Sequence, residues 1–353
     1  MDFATAPFVT DAIRKRCENE VLGYTGKPDS YYNAIINWVK QRYDLVVAKE
    51  MINFVPGIVP GIGMAMNCFT QKGDKVMIQP PVYHPFAWVT TRNERTLVTN
   101  PLKWENGMYR MDLDTFREQI KGCKLFILCN PHNPGGVVWT EAELRAIADI
   151  CYDEKVLVFS DEIHADLTLP PHTHRPFATV SEKARMNSVT FMSPSKAFNM
   201  PGLSASHALI FNEDLRKRFR IYMDAGELDM GHVFAFLSVE AAYSHGTEWL
   251  DQCLAYIQGN IDFVDEFLKK HAPKIKAIRP EASYLVWLDC RELELSQKDL
   301  NEFFVDKAHL ALNDGEMFGK EGIGFMRLNV ASPRCIIEKA MKQLADAYQL
   351  YIK

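Results

Sequence analysis

The chain has 353 residues, 47% of them apolar and 24% charged, with 19 Gly and 18 Pro. Such a chain is globular and too long for one hydrophobic core, and it is neither collagen-like nor low in complexity. A formal net charge of −5 argues against nucleic acid or an anionic membrane as the main partner, and no apolar run reaches bilayer-spanning length.

In chain order, the start Met1-Asp2-Phe3-Ala4 leads straight into folded-looking sequence with no signal-peptide pattern. Met51–Val55, Lys75–Ile78, Leu125–Cys129, Val156–Ser160, Val189–Met192 and Ala208–Phe211 are short and continuously apolar, which predicts strands buried on both faces. Helical patterns lie between them. One spans Pro60–Phe69; another opens at Thr140, with Glu143 three residues on and an apolar stripe of Leu144, Ile147, Ala148 and Cys151. His172-Thr173-His174, set among prolines, reads as an exposed turn rather than a metal-ligand pair. Beyond about residue 245 the texture changes. Leu250, Leu254, Ile257, Ile261, Val264 and Leu268 predict one long helix ending at Lys269-Lys270-His271. Strands at Tyr284–Leu288 and Phe325–Val330 follow, then a terminal helix whose stripe is Ile336, Ala340, Leu344 and Ala347. The fold class expected is α/β: a mostly parallel sheet sandwiched by helices, with a smaller α+β unit after it. The eight scattered cysteines, with no Cys-x-x-Cys pair, predict reduced thiols and a cytoplasmic protein.

In open parallel sheets ligands bind beyond the carboxyl ends of the strands. There the polar residues gather. The strand ends run into Pro56-Gly57-Ile58-Val59, into Pro81-Val82-Tyr83-His84-Pro85, into Asn130-Pro131-His132-Asn133, into Asp161-Glu162-Ile163-His164, and into Ser193-Pro194-Ser195-Lys196. A lysine so placed can form a Schiff base with an aldehyde cofactor, and an aspartate one strand away can hold a pyridinium N–H. An asparagine can bond a phenolic oxygen, a tyrosine can stack on a ring, and serines with helix-opening N–H groups can hold a phosphate. Together they describe a pyridoxal 5′-phosphate (PLP) site.

The order Tyr83, Asn133, Asp161, Lys196, Arg327 is similar to that of fold-type I PLP enzymes, the class I/II aminotransferase superfamily. Asn-Pro-His-Asn-Pro-Gly-Gly at 130–136, Ser-Asp-Glu-Ile-His-Ala-Asp-Leu at 160–167 and Ser-Pro-Ser-Lys-Ala-Phe-Asn-Met-Pro-Gly-Leu at 193–203 resemble its cystathionine β-lyase (C–S lyase) branch. The resemblance implies the PLP-dependent transferase fold, with residues 1–25 as a shortened N-terminal arm, 26–245 as the large PLP-binding domain and 246–353 as the small domain. It implies that Lys196 carries the cofactor and moves the Cα proton, that Asp161 pairs the pyridine nitrogen, and that Tyr83 stacks on the ring. Asn133 would then meet the ring oxygen, His164 would contact the cofactor, Ser193, Ser195 and the N–H groups of Ile58 and Val59 would meet the phosphate, and Arg327, with Asn133, the substrate carboxylate. Tyr24 would reach a phosphate across a homodimer interface, so the active sites would be shared. Ser204 stands where many aminotransferases have a phosphate-gripping arginine, and His164 where they have tyrosine; both departures suit the lyase branch.

The activity implied is α,β-elimination from cystathionine or another cysteine S-conjugate, giving thiol, pyruvate and ammonia. Transamination of amino acids uses the same residues, and a PLP-bound regulator with vestigial catalysis is a third reading. Competing readings of single residues also stand: Asp161 as a turn cap, His164 as a loop histidine, Tyr83 as packing beside prolines, and Arg327 as a surface strand residue.

Overall fold

A parallel strand that is apolar at every position needs a covering layer on each face, and helices supply it. The computed structural model describes residues 1–351, so residues 352 and 353 of the expected small domain lie outside the described residues. In chain order the elements are α1 (Pro7–Cys17), α2 (Asp29–Tyr43), β1 (Ile52–Val55), α3 (Ile58–Phe69), β2 (Lys75–Ile78), α4 (Pro85–Arg92), β3 (Thr96–Thr99), β4 (Lys103–Glu105), β5 (Met108–Arg110), α5 (Leu113–Gln119), β6 (Cys123–Cys129), α6 (Glu141–Asp153), β7 (Leu157–Asp161), α7 (Glu182–Met186), β8 (Ser188–Met192) and β9 (Ser206–Leu209). Then come α8 (Glu213–Asp224), α9 (Val233–His245), α10 (Thr247–His271), β10 (Lys276–Ile278), β11 (Leu285–Asp289), α11 (Gln297–Glu302), β12 (Asn313–Asp314), β13 (Phe325–Asn329) and α12 (Arg334–Tyr351).

The large sheet has the order β1-β9-β8-β7-β6-β2-β3. β3, β2, β6, β7 and β8 are parallel, whereas β9 is antiparallel to both β8 and β1. β1 therefore points the same way as β8, and six strand ends share one rim. The lack of apolar alternation is explained along β6. Leu125, Ile127 and Cys129 join the cluster of Ile62 and Met66 from α3 and Phe219 from α8. Phe126 and Leu128 join Phe116 of α5 and Leu144 of α6 on the other face, with the Phe116 and Phe126 rings 5.0 Å apart. Each such side chain removed from water contributes about 1.5–3 kcal/mol. α6 begins as its sequence foretells: Thr140 Oγ1 accepts the Glu143 N–H at 3.2 Å, and Glu143 Oε2 accepts the Thr140 N–H at 2.9 Å.

The small sheet, β10-β11-β13-β12, is antiparallel throughout. α10 ends in Lys269, Lys270 and His271, which complement the helix dipole. A third cluster joins α2, α9, α10, α12 and the small sheet, with Trp38 stacked on Tyr243 at 4.9 Å.

Several sequence boundaries need correction. β9 spans Ser206–Leu209 rather than Ala208–Phe211, because Asn212 already caps α8, its side chain accepting the Asp214 and Leu215 N–H groups. α3 starts at Ile58, two residues early, since Pro60 falls in the first turn, where no intrahelical donor is required. In α12 the inward stripe is Ile337, Met341 and Leu344, and Ile336 is 52% exposed. The pair Ile337 and Met341 carries more apolar surface than Ile336 and Ala340, and that decides the helix phase. Edge strand β3 and the β4–β5 hairpin were not foreseen, being short, polar at their ends and half-exposed.

Candidate active site

The shared rim encloses a cavity of about 510 Å³ whose wall includes Ile58, Val59, Tyr83, Asn133, Asp161, His164, Ser195, Lys196 and Arg327. The strand ladder sets the first contacts. Asp161, last residue of β7, lies opposite Cys129 of β6 and Phe191 of β8. Its carboxylate accepts the Ile163 N–H at 3.1 Å. Burial pushes its pKa up to about 7. Burial with one backbone donor disfavours its charged form, which a further donor or cation placed against it would stabilise.

Lys196 follows β8 through a turn held by Ser193. The Ser193 hydroxyl donates to the Ala205 carbonyl at 2.8 Å, lies 2.9 Å from Ser195 Oγ, and accepts the Ser195 N–H at 3.1 Å. Ser195 reaches the cavity wall, whereas Ser193 lies behind it. Among the described residues Lys196 has no ion-pair partner within salt-bridge range. Its pKa is lowered by burial and by the Arg327 charge, against a pull from Asp161.

Asn133 has one half of its amide engaged and the other open. Its Oδ1 accepts from Arg327 Nη1 at 2.8 Å, which leaves its amide NH₂ free to donate. Arg327 also donates from Nη2 to Asn313 Oδ1 at 2.7 Å, and its guanidinium lies 4.6 Å from the Phe318 ring centre. Burial draws its pKa down to about 10, still charged at neutral pH. His164 is buried with Nδ1 unpartnered; burial, then Lys196 and Arg327, push its pKa down to about 3, so the ring is neutral. Tyr83 stands edge-on to Phe86 at 5.7 Å, its pKa raised by burial and by Asp161. Ile58 and Val59 open α3, where the first N–H groups have no intrahelical acceptor.

Tyr24 is not brought to this cavity within one chain. It is 98% exposed, next to the exposed Val21 and Leu22. His174 corrects the expectation of an exposed turn: it is buried, with Nε2 2.8 Å from Glu162 Oε2. Glu162 Oε1 also accepts from Ser160 Oγ at 2.7 Å and from the Phe177 N–H at 2.8 Å, so this carboxylate anchors the 174–177 segment behind the β7 end. His84, Tyr284, Ser204 and Asn313 also line the cavity. His84 could have been found as the neighbour of Tyr83; nothing in the sequence marks Asn313.

The residues present fit pyridoxal 5′-phosphate. An amine without an ion-pair partner, a buried carboxylate seeking a cation, an unpartnered imidazole nitrogen and free helix-opening N–H groups face one space, and each matches a different part of that molecule. The model of the family described as aminotransferase class I and II matches residues 1–344. The chain is 37% identical to cystathionine β-lyase PatB of Bacillus subtilis over 98% of this chain and 90% of that protein. Its structure is similar to that of cystalysin from Treponema denticola, which contains a pyridoxal 5′-phosphate cofactor, with a TM-score of 0.96 and 34% identity over 99% and 89% of the two chains. It is similar also to the PLP-bound C–S lyase from Staphylococcus hominis, with a TM-score of 0.92 and 34% identity over 98% and 89%. The chain belongs to the class I and II aminotransferase family of PLP-dependent enzymes.

Proposed function

We propose that this enzyme is a C–S β-lyase that splits cystathionine or a related cysteine S-conjugate, with water, into thiol, pyruvate and ammonia. The observation that carries the reading is the meeting, in one cavity, of an amine without an ion-pair partner at Lys196, a buried carboxyl at Asp161 and a guanidinium at Arg327 whose side-chain partners are neutral. The likeness to PatB, cystalysin and the Staphylococcus lyase supports the choice of reaction.

Lys196 would hold PLP covalently, with Asp161 at the pyridine nitrogen and Asn133 and His164 at the ring oxygen. Tyr83 would stack on the ring, and Ser195, backed by Ser193, would share the phosphate with the Ile58 and Val59 N–H groups. When bound, the cofactor supplies an electron sink adjacent to the substrate Cα. Arg327 binds the α-carboxylate and so fixes which Cα substituent faces the lysine. Once the substrate amine has displaced it from the cofactor, Lys196 Nζ, its pKa lowered by burial, would take the Cα proton, and the Cβ–S bond would break as the thiolate departs. Asp161 would hold a proton on the cofactor's pyridine nitrogen.

Aminotransfer is the second reading, favoured by the family match over residues 1–344. Incubation with PLP and L-cystathionine, with pyruvate and free thiol measured, separates the two. Absence of both products, together with turnover that requires a 2-oxo acid, would overturn the lyase reading.

The working form we propose is a homodimer with shared sites and two domains per chain, divided near residue 245. Exposed Leu22 and Tyr24 border a surface cavity with Met230 and His232, exposed Val21 lies just before them, and a second copy would cover that apolar stretch. Sedimentation at micromolar concentration tests the dimer. A cytoplasmic location is supported by eight free cysteines. Among the described residues no helix is long and apolar enough to cross a membrane.

A further inference from the structure

Among the described residues, Arg327 is a cation without a resident anion. Its two side-chain acceptors, Asn133 Oδ1 at 2.8 Å and Asn313 Oδ1 at 2.7 Å, are neutral amides, and its buried Nε has no partner. A guanidinium inside a protein is ordinarily matched by a carboxylate, which takes two charge-assisted hydrogen bonds from the fork. Here that match is withheld.

Asn313 is held in place with some care. It stands opposite Arg327 in the β12–β13 ladder. The next residue, Asp314, takes hydrogen bonds from Gln297 Nε2 and Asn301 Nδ2, both at 2.6 Å, and from the Glu316 N–H at 2.8 Å. Gln297 in turn accepts the Gly324 N–H at 2.7 Å, one residue before β13 begins. Helix α11 thus anchors a two-residue strand by the side chain at 314, while the alternate side chain at 313 goes to the arginine.

We propose that Asn313 is the positioning and selectivity residue of the carboxylate site: its oxygen fixes one arm of the Arg327 fork, and its neutrality reserves the guanidinium charge for a substrate α-carboxylate. The inference rests on reading the cavity as an amino-acid site. Aspartate at 313 keeps the size and the acceptor but installs a resident carboxylate that competes with the ligand. Alanine loses the acceptor yet leaves the charge available. The two substitutions are therefore ordered by charge, with Asn313→Asp the more damaging. A residue that served only to support the local structure would give the opposite order, because aspartate preserves the hydrogen bond.

The test is equilibrium titration of wild-type, N313D and N313A holoenzyme with L-alanine, which has no leaving group at Cβ, followed by the absorbance of the bound cofactor. Ethylamine, the same amine without the carboxylate, is titrated in parallel. Expected for L-alanine is a loss of affinity of about 30–100-fold in N313D and about 3–10-fold in N313A, with ethylamine affinity not weakened in either. Equal losses, a larger loss in N313A, or ethylamine weakened alongside L-alanine would overturn the proposal. Wild-type enzyme that holds PLP but shows no response to L-alanine would overturn the amino-acid reading of the cavity instead.

Discussion

Asp161 should make the cofactor-free chain less stable as pH rises, and Asp161→Asn should remove that dependence. Burial, reinforced by the adjacent Glu162 charge and opposed by the Ile163 N–H, raises the carboxyl from 3.8 to about 7. An acid whose folded pKa exceeds its unfolded one binds its proton more tightly in the fold. Its contribution to stability is fully present below the unfolded value and is lost as pH rises through the folded one. The gap between 3.8 and about 7 amounts to a loss of about 4 kcal/mol at pH ~8.5, against about 2 kcal/mol at pH ~5.5. Asparagine has nearly the same shape and no charge at either pH. Urea unfolding of the two cofactor-free proteins should therefore show D161N gaining about 2 kcal/mol on wild type between those pH values. With PLP bound the order should reverse, because a pyridinium N–H gives the carboxylate its missing partner. A stability difference that stays flat with pH, or that changes in the other direction, would refute the idea that this carboxyl is held at a cost for the cofactor.

Lys196→Ala should abolish turnover, and borohydride treatment of the PLP-loaded proteins should label position 196 in wild type but no residue in the variant, as read by peptide mass spectrometry. Arg327→Ala should weaken L-alanine binding about 10–100-fold and leave ethylamine binding little changed, in the same absorbance titration. Phe126→Ala, deep between β6 and α5, should cost about 3–5 kcal/mol of unfolding free energy without changing the absorbance of bound PLP. Thr140→Ala should cost only about 1 kcal/mol, since it removes one half of an exposed cap.

What the sequence made legible was local. Asp161 ends a strand, and Asn133 and Lys196 lie four residues beyond the ends of two others; the continuous apolar run of each strand marks it as buried, so the polar residues at its end stand out. The large sheet follows from the same runs, and the α6 cap from Thr140 and Glu143 alone. Asn313 was invisible because its meaning is its register against Arg327 across a two-residue strand, and nothing within a few residues of it encodes that pairing. The burial of His174 is hidden from the sequence for a related reason. Its flanking prolines do signal a turn, but Glu162, twelve residues earlier, draws the imidazole inward. Ser193 and Ser195 look equivalent as text, and only the packing against Ala205 shows that the first supports the turn while the second faces the cavity. In α12, two overlapping stripes share Leu344 and Ala347, so periodicity could not choose between Ile336 and Ile337.

On the proposed reading, the rim would join the two halves of the reaction through Asn133. Its oxygen is committed to Arg327, so its NH₂ is the group left to meet the cofactor ring, and a shift of the arginine toward a carboxylate would be felt at the ring oxygen. Arg327 also lowers the pKa of Lys196, which favours the neutral amine that proton abstraction requires. A substrate carboxylate neutralising that guanidinium would raise the lysine again, easing its acceptance of the proton taken from Cα. On the proposed reading Arg327, Lys196 and the substrate carboxylate would act as one electrostatic unit, in which binding at one end prepares the base at the other. The neutrality of Asn133 and Asn313 is the condition for it, since a resident carboxylate on the arginine would have discharged the unit before substrate arrived.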